Sequence, residues 1–175
     1  VTSNLSNRYL YHWSGAMSGT GTNRRAGLHY FCSDPILPNR GNSYFVFFRL
    51  DSDKIQIYEV TNDVYSLVDE ATYDFNVDQW YDYKVAYDRV TGKHQVYINN
   101  VLVRTWTDPT PLTTGNYISF RTGNCVYKVN DLRVYRSRSS STAITVGASG
   151  DMRYESPNSS TAAGRIKSIV QDVAL

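Results

Sequence analysis

The chain has 175 residues and a formal net charge of +2, with 41% hydrophobic and 19% charged residues. That length suits one domain with a core of its own. The charge is too small and too scattered for a nucleic-acid surface, and no apolar run approaches the roughly 18 residues of a membrane span. The unusual count is 15 tyrosines, beside 6 phenylalanines and 3 tryptophans. Tyrosine suits strands, where its ring is half buried and its hydroxyl stays wet, so the composition reads as a sheet protein with many boundary positions.

A polar run opens the chain, with no leader-like segment, and the sequence reads as a piece of a longer protein. Residues 8–14 alternate as a first strand. Gly15 to Gly21 is glycine-rich, but it leads to a strand and not to a phosphate-holding helix, so it reads as a loop. Asn23, Arg24 and Arg25 precede a strand over 26–32, and a loop carrying Asn39, Arg40 and Asn42 leads to Tyr44. In the strand over 43–50, Tyr44, Val46, Phe48 and Leu50 share one side and Phe45, Phe47 and Arg49 the other. Both sides are apolar, which predicts a central strand covered on both faces. The turn Asp51-Ser52-Asp53 joins it to a strand over 54–60, and a short strand follows over 65–68.

The most regular stretch runs from Trp80 to Trp106. Tyr81, Tyr83, Val85 and Tyr87 alternate with Asp82, Lys84 and Ala86, the period-2 signal of a strand. A turn over 88–93, a second run over 94–98, the tight turn Asn99-Asn100 and a third run over 101–106 complete an antiparallel meander. Asp108-Pro-Thr-Pro111 is a loop, since proline does not serve a central strand. The strand over 116–122 turns Ile118 and Phe120 inward and Tyr117, Ser119 and Arg121 outward. Asn124 and Tyr127 stand nearby, at the start of a strand over 125–135.

Beyond a polar link at Ser137 to Thr142, residues 143–146, Met152 to Tyr154 and 165–170 are strand-like within loop-rich sequence. About a dozen short, turn-separated strands predict an all-β fold, an antiparallel β-sandwich of the jelly-roll kind. Residues 1–175 are read as one such domain, loop-rich over 137–164, with its last strand within 165–175. Cys32 and Cys125 carry no CxxC or histidine spacing. They read as two buried thiols, or as one long-range disulfide if the domain is exported.

Catalytic signatures are sparse. Glu59, Glu70 and Glu155 fall in no paired-carboxylate strand of the glycosidase type, and Asp51/Asp53 reads as a solvated turn. His29, Tyr30, Tyr83 and Arg121 are the residue types of a lyase, without its motifs. His12, His29 and His94 form no i, i+2 pair and read as structural. What remains suits recognition, because sugar C–H faces pack on aromatic rings and acid groups pair with arginine forks. The candidate ligand-binding residues are Asn23, Arg24, Arg25, Asn39, Arg40, Asn42, Tyr44, Tyr117, Arg121, Asn124 and Tyr127.

The meander, with Trp80 leading Tyr83-x-Val85-x-Tyr87-Asp88 and Val96-Tyr97-x-Asn99-Asn100 following, resembles that of laminin-G-like and concanavalin A-like jelly rolls. The Tyr81 to Tyr87 strand resembles more distantly the Y-x-K-x-G-x-Y strand of jelly-roll alginate lyases, with Ala86 where glycine is usual. Residues 23–32, 39–46, 56–58 and 166–172 resemble a module of large secreted Bacteroidetes-type proteins that accompanies polysaccharide-active enzymes, xanthan lyase-like proteins and golvesin-type domains. The resemblance implies a concanavalin A-like sandwich, export to the medium or the cell surface, a polysaccharide partner and a tethered catalytic domain. It also implies a possible structural calcium, for which Asp51, Asp53 and Asp131 are the candidate ligands. Two functions stay open: a non-catalytic carbohydrate-binding module for a plausibly anionic (uronate or sulfated) polysaccharide, and a structural or adhesive spacer. A polysaccharide lyase is a distant third.

Overall fold

The computed structural model describes residues 7–137, 143–146 and 152–155. Ten strands build two antiparallel sheets: β1 (Arg8–Ser18), β2 (Arg25–Cys32), β3 (Ser43–Arg49), β4 (Lys54–Thr61), β5 (Val64–Thr72), β6 (Tyr81–Asp88), β7 (Lys93–Ile98), β8 (Val101–Thr107), β9 (Tyr117–Gly123) and β10 (Val126–Arg136). One sheet runs β10-β1-β6-β7-β8 and the other β5-β4-β3-β2-β9. The fold is an antiparallel β-sandwich, with no helix among the described residues. A further hairpin joins β11 (Ala143–Val146) to β12 (Met152–Glu155). The strand expected over 165–170 lies outside the described residues.

The inner faces follow from period 2. Tyr9, Tyr11 and Trp13 of β1 and Tyr81, Tyr83, Val85 and Tyr87 of β6 meet Ala26, Leu28 and Tyr30 of β2 and Tyr44, Val46 and Phe48 of β3. Phe48 stacks on Tyr83 at 4.4 Å between centroids, and Tyr44 meets Tyr87 at 5.0 Å. Tyrosine is therefore a core residue here, which corrects the boundary reading: Tyr9, Tyr11, Tyr30, Tyr44, Tyr81, Tyr83 and Tyr87 are all buried. Tyr83 Oη has no hydrogen-bond partner among the described residues, whereas other hydroxyls are served inside the sandwich. Tyr30 shares a hydrogen bond with His94 Nδ1 at 2.8 Å, while Tyr44 donates to Asp108 Oδ2 at 2.6 Å and Tyr87 to the Leu112 carbonyl at 2.9 Å.

Two local features position the outer face of the β5-β4-β3-β2-β9 sheet. Phe31 has φ 55° where the β2–β9 register shifts. This bulge turns Tyr30 and Phe31 both into the core and leaves His29 on the outer side. Asn62 and Asp63 have φ 51° and 65°, the left-handed pair of a tight hairpin turn. Asp63 Oδ1 accepts the amides of Asn39 at 2.8 Å and Gly41 at 3.1 Å, tying the loop before β3 to the β4–β5 turn. The two cysteines are free: Cys32 is buried at one end of β2, whereas Cys125 hydrogen-bonds the Arg25 carbonyl at the other.

Candidate functional site

A groove of about 520 Å³ crosses the outer face of this sheet. Its floor is aromatic because β3 presents Phe45 and Phe47 outward, in register with Tyr58 and Gln56 of β4. On the other side Phe47 and Arg121 both pair across strands with Gly27. With no side chain between them, the sheet sinks there. A Cβ on Gly27 would stand 1.9 Å from the Val46 carbonyl oxygen.

The floor is a stack. His29 lies flat on Phe45 at 4.0 Å and 11°, Phe45 touches Phe47 at 4.5 Å, and Tyr58 meets Tyr65 edge-on at 5.6 Å. Phe45 and Phe47 are buried although, among the described residues, no second layer covers them. Phe45 is covered by the side chains of His29, Tyr58 and Tyr65, and Phe47 by Arg25.

Three guanidiniums rim the groove. Arg25 lies 5.6 Å above Phe47 and Arg121 5.4 Å above Tyr65, contacts that hold a cation over a ring face without consuming its N–H groups. Arg121 also donates to Tyr65 Oη at 2.7 Å and Asn39 Oδ1 at 2.8 Å, and Tyr65 Oη is 2.8 Å from His29 Nε2. With Arg121 donating, the tyrosine proton goes to the imidazole, which is thereby kept neutral. Burial, then the charges of Arg121 and Arg40, hold His29 down to about 3. Arg49 donates to Asn23 Oδ1 at 2.6 Å. Among the described residues none of Arg25, Arg49 and Arg121 forms an ion pair, and the groove lining contains no carboxylate. Arg25 makes no side-chain hydrogen bond among them either.

Of the residues read as candidates from sequence, Asn23, Arg25 and Arg121 come together here, and Asn39 braces Arg121. The others have different work. Arg24 pairs with Asp51 at 2.7 Å and donates to the Gly19 carbonyl at 2.6 Å. Arg40 closes its own loop on the Leu37 carbonyl at 2.8 Å, and Asn42 Oδ1 accepts the Asn62 amide at 2.7 Å. Tyr44 faces the core at 0% exposure, a correction forced by alternation with Phe45. Tyr117 is exposed but stands beside Cys32, at the far end of β9. Asn124 caps the β9–β10 turn at φ 55°, with its amide on the Thr22 carbonyl at 3.2 Å. Tyr127 belongs to the other sheet and accepts the Trp13 indole N–H at 2.7 Å.

The carboxylates read as calcium ligands are not brought together. Asp51 holds Arg24, Asp53 accepts the Phe75 amide at 3.1 Å, and Asp131 sits at a bulge of β10 in the opposite sheet. No group of three or more His, Cys, Asp or Glu is placed to hold a metal ion among the described residues. Tyr30 and Tyr83, weighed above as lyase residues, are buried in the core.

Sequence reasoning missed Phe45, Phe47, Arg49, Tyr58 and Tyr65 as members of this site, whereas His29, read as structural, is buried beneath it. The signal was present as matched i, i+2 phases: Arg25-x-Gly27-x-His29, Phe45-x-Phe47-x-Arg49 and Gln56-x-Tyr58 all face one way.

Comparison with known proteins agrees with the fold. No protein-family model matches the chain, and no curated protein sequence does. Among solved structures it is similar to the carbohydrate binding module CBM66 from Bacillus subtilis, with a TM-score of 0.62 at 12% identity, over 73% of this chain and 74% of that one. Sheep galectin-11 in complex with glycerol matches with a TM-score of 0.59 at 12% identity, over 77% of this chain and 95% of that one. The Caenorhabditis elegans galectin LEC-6 matches with a TM-score of 0.59 at 12% identity, covering 78% and 89%. At such identities the likeness is one of fold.

Proposed function

We propose that this chain is a non-catalytic carbohydrate-binding module whose outer groove holds a polysaccharide bearing acid groups. The observation that carries the reading is the set Arg25, Arg49 and Arg121, three guanidiniums over an aromatic floor with no carboxylate in the lining. A uronate or sulfate group supplies the missing anion, and an arginine fork receives it through two parallel N–H bonds. Tyr58, Tyr65 and the edge of Phe47 offer apolar surface to the C–H face of the sugar. The absence of paired carboxylates from the lining fits binding without glycosidic hydrolysis. The similar structures, a carbohydrate binding module and galectins, support the same class of ligand.

In an exported parent protein the module raises the local concentration of a tethered catalytic domain on its substrate, a gain of effective concentration with no new chemistry. The test is incubation of the domain with neutral, uronate and sulfated polysaccharides, scored for retention and for new reducing or unsaturated ends. Retention on an acidic polymer with no product is the expected result. Product formation would convert the groove into an active site, and no retention on any polymer would leave a spacer domain.

A further inference from the structure

The opposite side of the sandwich carries a second, larger groove of about 630 Å³ on the outer face of the β10-β1-β6-β7-β8 sheet. Its position follows from register. Tyr135, Leu10, Ala86 and Gln95 form one row across four strands. The row on one side is His12, Lys84 and Tyr97, and the row on the other is Arg8, Asp88 and Lys93. Ala86 ends at Cβ while its neighbours along and across the sheet are long, so the face is hollow at Ala86. The resulting volume falls within the ~300–1,000 Å³ of small-ligand sites.

The lining chemistry repeats that of the first groove with different residues. Leu10 and Ala86 make an apolar floor, Tyr97 and Tyr135 flank it, and Gln95 and Asn100 supply amides. Arg8, Lys84, Lys93 and Arg136 surround it against one carboxylate, Asp88. That carboxylate is already occupied by Arg8 Nε at 2.9 Å and by the amides of Val90 at 3.0 Å and Thr91 at 3.2 Å. Lys84 is held by Asn100 and, at 3.3 Å, by Asp82, whereas Lys93 has no ion-pair partner among the described residues.

We propose that this groove is a second site for an acid-bearing glycan, so that one domain holds two chains on opposite faces. The sheets pack through their inner faces, so the two grooves look away from each other and a short oligosaccharide reaches only one of them. The domain is then bivalent, and it cross-links polymer strands as well as anchoring to one. The inference stands on the second groove's own residues and survives if the first groove proves empty.

The experiment is a titration of the isotope-labelled domain with octamers of galacturonate, mannuronate and sulfated galactan, read at backbone amides. It is run on the wild type, on Arg25→Ala/Arg121→Ala, and on Lys93→Ala and Ala86→Trp. Perturbation at Ala86, Gln95 and Tyr97 is expected with an acidic octamer and persists in the double arginine variant. Lys93→Ala weakens that response by roughly tenfold, the loss of one charged hydrogen bond, and Ala86→Trp abolishes it by filling the hollow. Both leave the Phe47 and Arg49 response intact. Response at Phe47 and Arg49 alone would overturn the second site and spare the first, and silence at both faces would overturn both. Equal perturbation of the second groove by inorganic sulfate would reduce it to a simple anion patch and refute the glycan assignment.

Discussion

Lowering the pH from 7 to 5 destabilises this fold through two histidines that are neutral when folded. His94 is buried between Tyr87, stacked at 4.5 Å, and Trp106, stacked at 4.8 Å, and burial pushes it down to about 3. Its Nδ1 shares a 2.8 Å hydrogen bond with the Tyr30 hydroxyl, and Nε2 has no partner among the described residues, so no acceptor receives the second N–H that a charged ring would carry. His29 is likewise held down to about 3 by burial and by Arg121 and Arg40. The unfolded chain protonates both near 6.5. Between pH 6.5 and 3 it therefore binds more protons than the fold does, and stability is lost as pH falls. Each group contributes about 2 kcal/mol of loss from pH 7 to 5, about 4 kcal/mol together, at ~1.4 kcal/mol per pH unit. Glu59, raised by burial and by Asp108, works in the other direction and trims the total. Urea unfolding at pH 7 and 5 measures the drop as a midpoint shift at constant m. His94→Phe keeps the stacking and removes one titrating group, so its drop is about half that of the wild type, from a lower starting stability because Tyr30 loses its hydrogen-bond partner. Equal midpoints at the two pH values, or an undiminished drop in His94→Phe, would refute the reasoning.

Arg25→Ala weakens binding of an acidic polysaccharide by about 1.5–3 kcal/mol, roughly ten- to a hundredfold, while losing its contact with Phe47 costs only about 0.5–1 kcal/mol of fold stability; calorimetry beside a melting curve checks both. Gly27→Ala forces a Cβ against the Val46 carbonyl and costs about 1–3 kcal/mol or more, lowering Tm by several degrees in differential scanning. Thiol titration of the native domain labels Cys125 first. Cys32 is buried and pushed up to about 12, so it reacts only on unfolding.

The meander was legible because its alternation is strict and its turns are short: residues 80–106 fold as β6, β7 and β8 with the Asn99-Asn100 turn in place. The inward and outward faces of β9 were legible for the same reason, and Ile118 and Phe120 pack on the core. The site was legible only in fragments. Arg25 and Arg121 were named as separate loop and strand candidates, because their meeting depends on β2 pairing with β9, across about 90 residues of chain. Tyr44 was misplaced because its neighbours Asn39 to Asn42 are a loop, whereas β3 begins at Ser43 and its period overrides that proximity. Phe45 and Phe47 looked doubly covered, and they are buried. Phe45 is covered by His29, Tyr58 and Tyr65 and Phe47 by Arg25, which alternation within one strand cannot reveal.

The most direct test of the central claim is affinity electrophoresis of wild type and Arg25→Ala through gels containing a uronate, a sulfated or a neutral polysaccharide, at low and high salt. The account predicts retardation on an acidic polymer, relieved by salt and much reduced in the variant. Retardation that ignores both salt and Arg25, or that is confined to the neutral polymer, would contradict it.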